Sequence, residues 1–151
     1  MEMTALPEVF RDGIIPDIEK SNHPNERSDQ ADNRSAQRGR TMDRRQKIQK
    51  VLDDVVNTLI SEYQPERILL FGSFVSGEAD EISDIDLLIV KESQESPYRR
   101  AVRVRRLLRD PKRRTPIDLL VVTPQELAQR LEIGDQFVQE ILSKGKVLYA
   151  R

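Results

Sequence analysis

The sequence contains no cysteine and no tryptophan, and His23 is its one histidine. Disulfides and thiolate metal sites are therefore excluded, and a lone imidazole cannot build a zinc site. Aromatic residues make up only 5% of the chain, and apolar residues (37%) barely outnumber charged ones (34%), so any core is lean. No apolar run is long enough to span a membrane, and the N-terminus lacks the apolar centre of a signal peptide. A cytoplasmic protein is the expectation. The formal net charge is −1, so no global field draws the chain toward nucleic acid or a membrane surface. A length of 151 residues sets the expectation at one domain, and no internal repeat is visible.

Met1 to about Arg40 differs in texture from the rest. Pro7, Pro16, Pro24, Gly13 and Gly39 are scattered among Ser, Asn, Asp and charges of both signs, with few apolar residues beyond Val9, Phe10, Ile14, Ile15 and Ile18. Such a composition cannot repay the entropy of ordering, so residues 1–41 are expected to be a disordered tail and 42–151 the folded domain. Two other readings of the tail stand beside it. Ala5 to Ile18 is a candidate docking segment, and Met42 is a candidate native start.

What is present is concentrated in two short stretches. Arg67-Ile68-Leu69-Leu70-Phe71 is an apolar run too short for a helix and ended by Gly72, which predicts a buried strand. Gly72 permits a sharp turn and a close approach of backbone to ligand. Ser73 offers a hydroxyl and an N–H at the start of the next turn, an arrangement suited to phosphate oxygens. After ten intervening residues come Asp84 and Asp86, spaced two apart at the head of the apolar run Leu87-Leu88-Ile89-Val90, so both face the same side of a second strand. Two such carboxylates repel by about 4 kcal/mol at an effective dielectric of roughly 20 and a separation near 4 Å. The usual use of such a pair is to bind a divalent cation through oxygen. A third carboxylate, Asp118, stands in Ile117-Asp118-Leu119-Leu120-Val121-Val122, where burial in an otherwise apolar strand would cost several kcal/mol unless the charge is matched. Taken singly, Asp84 reads as a cap, Asp86 as a surface carboxylate and Ser73 as an ordinary turn residue. Their order and spacing give them weight.

Gly72-Ser73, Asp84-x-Asp86 and the later strand aspartate Asp118 together resemble the signature of the DNA polymerase beta nucleotidyltransferase superfamily. The short chain and the ending from Thr123 to Tyr149 resemble in particular the minimal nucleotidyltransferases, among them the antitoxins paired with HEPN-domain ribonuclease toxins. The resemblance runs from about Ile48 to Tyr149. It departs from the family at Ser76, where many relatives carry an arginine before the second glycine.

The remaining segments fit around that motif. Ile48, Val51, Leu52, Val55, Val56, Leu59 and Ile60 form one helical face between about Asp43 and Tyr63, closed by Pro65. Ser96-Pro97 opens a second helix, with Tyr98, Ala101, Val102, Val104, Leu107 and Leu108 expected on its buried side. The same helix carries Arg99, Arg100, Arg103, Arg105, Arg106 and Arg109, followed by Lys112, Arg113 and Arg114. This patch reads as a solvated face, or as a docking surface for phosphates, RNA or an acidic partner. It has no interleaved aromatics, so nucleic acid is not the expected partner. Thr123-Pro124-Gln125-Glu126 is a capping box. Gly134 separates its helix from one marked by Phe137, Val138, Ile141 and Leu142, with Gly145 as C-cap and Val147-Leu148-Tyr149 as an edge strand. Asp80, Glu78 and Glu81 read as loop residues without a role.

The resemblance implies an α/β (α+β) fold with a small mixed sheet flanked by helices. It implies one or two Mg²⁺ ions held by Asp84, Asp86 and Asp118, with ATP as substrate and its outer phosphates on Gly72 and Ser73. Asp118 would assist deprotonation of an acceptor hydroxyl that attacks the α-phosphorus, with pyrophosphate leaving. Nothing after the core resembles a second domain to hold an acceptor, so another protein is expected to bind it or to be it. A HEPN toxin modified by AMP is the foremost reading. A non-catalytic antitoxin, and a transferase acting on a small molecule or RNA, are the alternatives.

Overall fold

The computed structural model describes residues 35–80 and 82–151, with side chains described from Arg44 onward. The expectations for residues 1–34, the candidate docking segment included, lie outside the described residues. The chain divides into two units, with the boundary between Asp53 and Asp54. The first helix, α1 (Ser35–Thr58), crosses that boundary. It begins at Ser35, so residues 35–41, expected to belong to the tail, are helical.

In the unit that contains Asp54–Arg151, α1 widens into a π-helical turn over Leu59–Tyr63. The helix stops where Pro65 requires it to. Gln64 adopts a left-handed conformation (φ 56°) and donates its N–H to Leu59 O at 2.8 Å. Val55, Leu59 and Tyr63 are buried, as the apolar spacing requires.

The elements that follow are β1 (Arg67–Phe71), α2 (Ser73–Ser76), β2 (Ile85–Val90), α3 (Pro97–Leu107), β3 (Ile117–Val122), α4 (Pro124–Glu132), α5 (Gln136–Lys144) and β4 (Lys146–Ala150). The four strands form one mixed sheet in the order β3-β2-β1-β4. β1 runs antiparallel to both β2 and β4, and β2 pairs parallel with β3 across the α3 crossover. This is the small α/β nucleotidyltransferase architecture expected. Central β2 is its hydrophobic spine, with Leu87, Leu88, Ile89 and Val90 all buried. β3 lies at an edge, so its apolar residues are only half-buried until Val121 and Val122.

Two N-caps work as the sequence implies, and a third, at Asp135, is seen only in the structure. Ser96 Oγ accepts from Arg99 N (3.3 Å), and Asp135 Oδ1 from Phe137 N (3.0 Å) and Val138 N (3.3 Å). The Thr123–Glu126 capping box has both of its bonds, each 3.1 Å. Gly145 ends α5 in an extended conformation (φ −65°, ψ 152°) rather than the left-handed one common at that position. Glycine is needed there because a Cβ would meet Ile141 O at 2.3 Å and Leu70 O at 3.2 Å.

The expectation for α3 needs correction at both edges of its face. Tyr98 is 78% exposed, whereas Arg100, counted with the solvated arginines, is 2% exposed. Its guanidinium donates to Glu95 O (2.8 Å) and to both carboxylate oxygens of Glu126 (2.7 and 2.5 Å). Arg100 sits one turn in from the cap, where the helix faces the sheet, and its planar fork reaches the residue that caps α4. The same carboxylate thus caps α4 and joins it to α3. Burial raises the Glu126 pKa, but the Arg100 bond, the Thr123 N–H and the charges of Arg100 and Arg130 outweigh it and hold the group below its ordinary 4.5.

Replacing Arg100 with Leu is expected to destabilise the protein by on the order of 2 kcal/mol. That is below the roughly 3–5 kcal/mol for breaking a fully buried pair, because Glu126 keeps some contact with water. Glu126→Gln costs less at pH 7. Its deficit in Tm relative to wild type shrinks as pH falls below about 4.5, because a carboxylate with a depressed folded pKa loses its advantage on protonation. Thermal melts across pH 3–7, a roughly bracketing range, check both expectations.

Candidate active site

β1 ends at Phe71 and the chain turns at once through Gly72, whose φ of 76° and ψ of −151° lie in a region open essentially to glycine alone. A second constraint acts on the same residue. A Cβ at position 72 would stand 2.2 Å from Asp86 Oδ2 and 3.1 Å from its Cγ. The missing side chain is what lets the Asp86 carboxylate lie against the turn. Ser73 then opens the short helix α2, whose first N–H groups have no intrahelical acceptor. Ser76, at the position where many relatives carry arginine, ends that helix and donates its hydroxyl back to Ser73 O at 3.4 Å.

The register of the sheet assembles the rest. Phe71 pairs with Asp86 across β1 and β2, and Asp86 pairs with Asp118 across β2 and β3. Directly paired residues share a face, so Phe71, Asp86 and Asp118 line up across one face at one end of the sheet. Asp84 stands just ahead of β2. The turn before it is organised by Asp80, whose Oδ1 accepts from Ile82 N (3.0 Å) and Ser83 Oγ (2.9 Å), while Asp80 N donates to Ser83 Oγ (2.9 Å). Asp80 therefore does have a role: it shapes the loop that delivers Asp84. Its signal in the sequence was an Asp three residues before a Ser, ahead of a strand.

Asp118 is exposed, because β3 is an edge strand. The burial cost expected of it from its apolar neighbours does not arise. Its relation to Asp86 through the register is what places it at the site. Desolvation pushes the Asp86 pKa above its ordinary 3.8, and the negative charges of Asp118 and then Asp84 push it the same way. No ion pair among the described residues relieves these three carboxylates. Nor are they closed into a preformed cage, since among the described residues no three His, Cys, Asp or Glu side chains are gathered to hold one ion. Hard oxygen donors under like-charge strain fit Mg²⁺, which ordinarily takes only one or two carboxylates and completes its shell with water and substrate phosphates.

A family model described as polymerase beta, nucleotidyltransferase matches residues 53–151, well over half of the chain. The chain belongs to the polymerase beta nucleotidyltransferase family. It is a transferase of the nucleotidyl-transferring type, and the match spans every residue of the site just described. A comparison with curated proteins finds no match. Among the described residues of this nucleotidyltransferase, no helix is long and apolar enough to cross a membrane.

The basic helix of this nucleotidyltransferase is partly used up internally. Arg100 is buried, Arg103 pairs with Glu95 at 2.5 Å, and Arg113 donates to Leu108 O at 2.5 Å at the end of α3. Arg99, Arg105, Arg106 and Arg109 remain exposed and form no ion pair among the described residues.

Two substitutions test the geometry. Gly72→Ala places a Cβ where Asp86 lies and strains the backbone, and is expected to lower Tm. In EDTA, Asp86→Asn is expected to raise Tm, on the order of the 0.5 kcal/mol scale of a like-charge cross-strand pair. A carboxylate whose folded pKa is raised is a liability only while ionised. The gain should therefore be full at neutral pH and vanish as pH falls toward 3.8. A Tm for Asp86→Asn equal to or below wild type at pH 7 would remove the electrostatic account.

Proposed function

We propose that the protein is a Mg²⁺-dependent adenylyltransferase that moves AMP from ATP to a hydroxyl of a partner protein, acting as an antitoxin toward a HEPN-type ribonuclease toxin. The observation that carries the chemistry is the alignment of Asp86 with Asp118 on one sheet face beside a glycine turn that only a missing side chain allows. Asp84 and Asp86 would hold Mg²⁺, which when bound supplies positive charge to the phosphates. The Gly72–Ser73 backbone and the Ser73 hydroxyl hold the outer phosphates of ATP. Asp118, exposed at the sheet edge, is open to an acceptor from outside and takes the proton of its hydroxyl. The acceptor oxygen then forms a bond to the α-phosphorus as the bond to the pyrophosphate oxygen breaks. Positioning and fixed charge supply most of the rate.

A protein acceptor is favoured by that exposure together with the compactness of the nucleotidyltransferase unit: four strands and short helices, with no further layer over the Asp118 edge among the described residues. A phosphodiester added to a ribonuclease near its RNA site would repel the RNA backbone, which is a direct route to neutralisation. Cytoplasmic residence follows from that partner.

Mixed with ATP, Mg²⁺ and a cognate HEPN protein, the protein is expected to add an adenylate mass to the toxin, on a tyrosine hydroxyl. Asp84→Asn combined with Asp86→Asn should abolish the increment without unfolding the chain. Intact-protein mass spectrometry reads the result. Silencing of the toxin with no increment would show inhibition by occlusion, and Ser76 in place of arginine would then mark a lost phosphate contact.

A further inference from the structure

Phe137 is one of the apolar residues that mark its helix in the sequence, and it is 53% exposed. Its position is nonetheless well defined. The Asp135 cap accepts its N–H at 3.0 Å and that of Val138 at 3.3 Å, and Val138 and Ile141 anchor the rest of α5 in the core. The Phe137 ring stands edge-on to Phe71, with centroids 5.8 Å apart and planes at 82°. Phe71 is the residue immediately before the Gly72 turn, and it shares a sheet face with Asp86 through direct pairing. A perpendicular contact uses only an edge or one face of a ring, so much of the Phe137 ring remains open to solvent beside the site. Ile133, 81% exposed at the end of α4, adds apolar surface in the loop that leads to the same cap. Exposed aromatic surface next to a polar, anionic site is not needed for packing, and base-stacking is a use that suits it.

We infer that Phe137 is the stacking platform for the base of the nucleoside triphosphate whose phosphates lie at Gly72–Ser73. The inference rests on the nucleotide-binding reading of that turn and names a residue that reading does not contain. Its geometric content is the pairing of Asp86 with Phe71 and the ring contact of Phe71 with Phe137, which put an aromatic ring on the β1 side of the carboxylates, away from the β3 edge that carries Asp118. Nucleotide and acceptor thus approach from different sides of the sheet end. Every base has a π-face, so Phe137 confers affinity for nucleotides as a class and little choice among bases.

The test compares Mg²⁺-ATP with Mg²⁺-tripolyphosphate, a probe that has the phosphates and no base, by calorimetry on the full chain. Wild type is expected to bind ATP more tightly than tripolyphosphate. Phe137→Ala should weaken ATP about tenfold, within the range for loss of one base–aromatic stack, and leave tripolyphosphate unchanged. Phe137→Leu, which keeps apolar bulk against Phe71, should behave like Phe137→Ala, and Phe137→Trp should restore ATP affinity. The inference is overturned if wild type binds the two probes equally, or if Phe137→Ala leaves ATP unaffected. In both cases the phosphate role of Gly72–Ser73 would survive. Equal weakening of both probes would also overturn it, by showing that Phe137 acts only by holding Phe71 and the turn. Failure of wild type to bind either probe would remove the nucleotide-binding reading and this inference together.

Discussion

The Asp86 carboxylate lies where any side chain at position 72 would have to be. That single exclusion binds the two halves of the motif to each other. The turn can be made only by glycine, for its left-handed φ and for the space, and the carboxylate can approach only because glycine is there. The resulting contact sets the glycine backbone against a carboxylate whose charged form is disfavoured by burial and then by Asp118 and Asp84. An arrangement of this kind is costly to the empty protein, and the cation and phosphates of the proposed function would offset that cost.

The sheet makes the strain possible. β2 is central and buried on both faces, so its alternation cannot slip by one residue without turning Asp86 into the core. The register with β1 and β3 follows, and Phe71, Asp86 and Asp118 are aligned as a consequence rather than by local contacts of their own. At the opposite end of the same strands, Arg100 and Glu126 tie α3 to α4. Polar groups are thus concentrated at both ends of the sheet and the middle is apolar. One end is matched in charge and structural. The other is unmatched and chemical.

Most of the strands and caps were legible because they are local. Arg67–Phe71, the Ser96-Pro97 start of α3 and the Thr123-Pro124-Gln125-Glu126 box depend on residues within a turn of one another, and each is found where the spacing puts it. Gly72, Ser73, Asp84, Asp86 and Asp118 were legible as a pattern for a related reason: order and spacing along the chain carry the motif. What was misread depends on which face of an element is covered. Arg100 and Tyr98 are two residues apart on α3, yet the arginine is buried and the tyrosine exposed, because a carboxylate twenty-six positions away can satisfy the one and nothing packs over the other. Asp118 was assigned a burial cost from its apolar neighbours, and the edge position of β3 cancels it.

By itself the sequence determined the family's chemistry, since carboxylates at fixed spacing beside a Gly-Ser turn follow from residue identity and from the two-residue period of a strand. Only the tertiary structure decided how those groups meet. Strand order made Asp118 an exposed partner instead of a buried one, antiparallel pairing set Phe71 beside Asp86, and the approach of α5 to β1 brought Phe137 against it. The physical reason is that exposure, cross-strand proximity and charge coupling are properties of pairs far apart in the chain. They come into being only when hydrophobic burial of the central strands fixes the register.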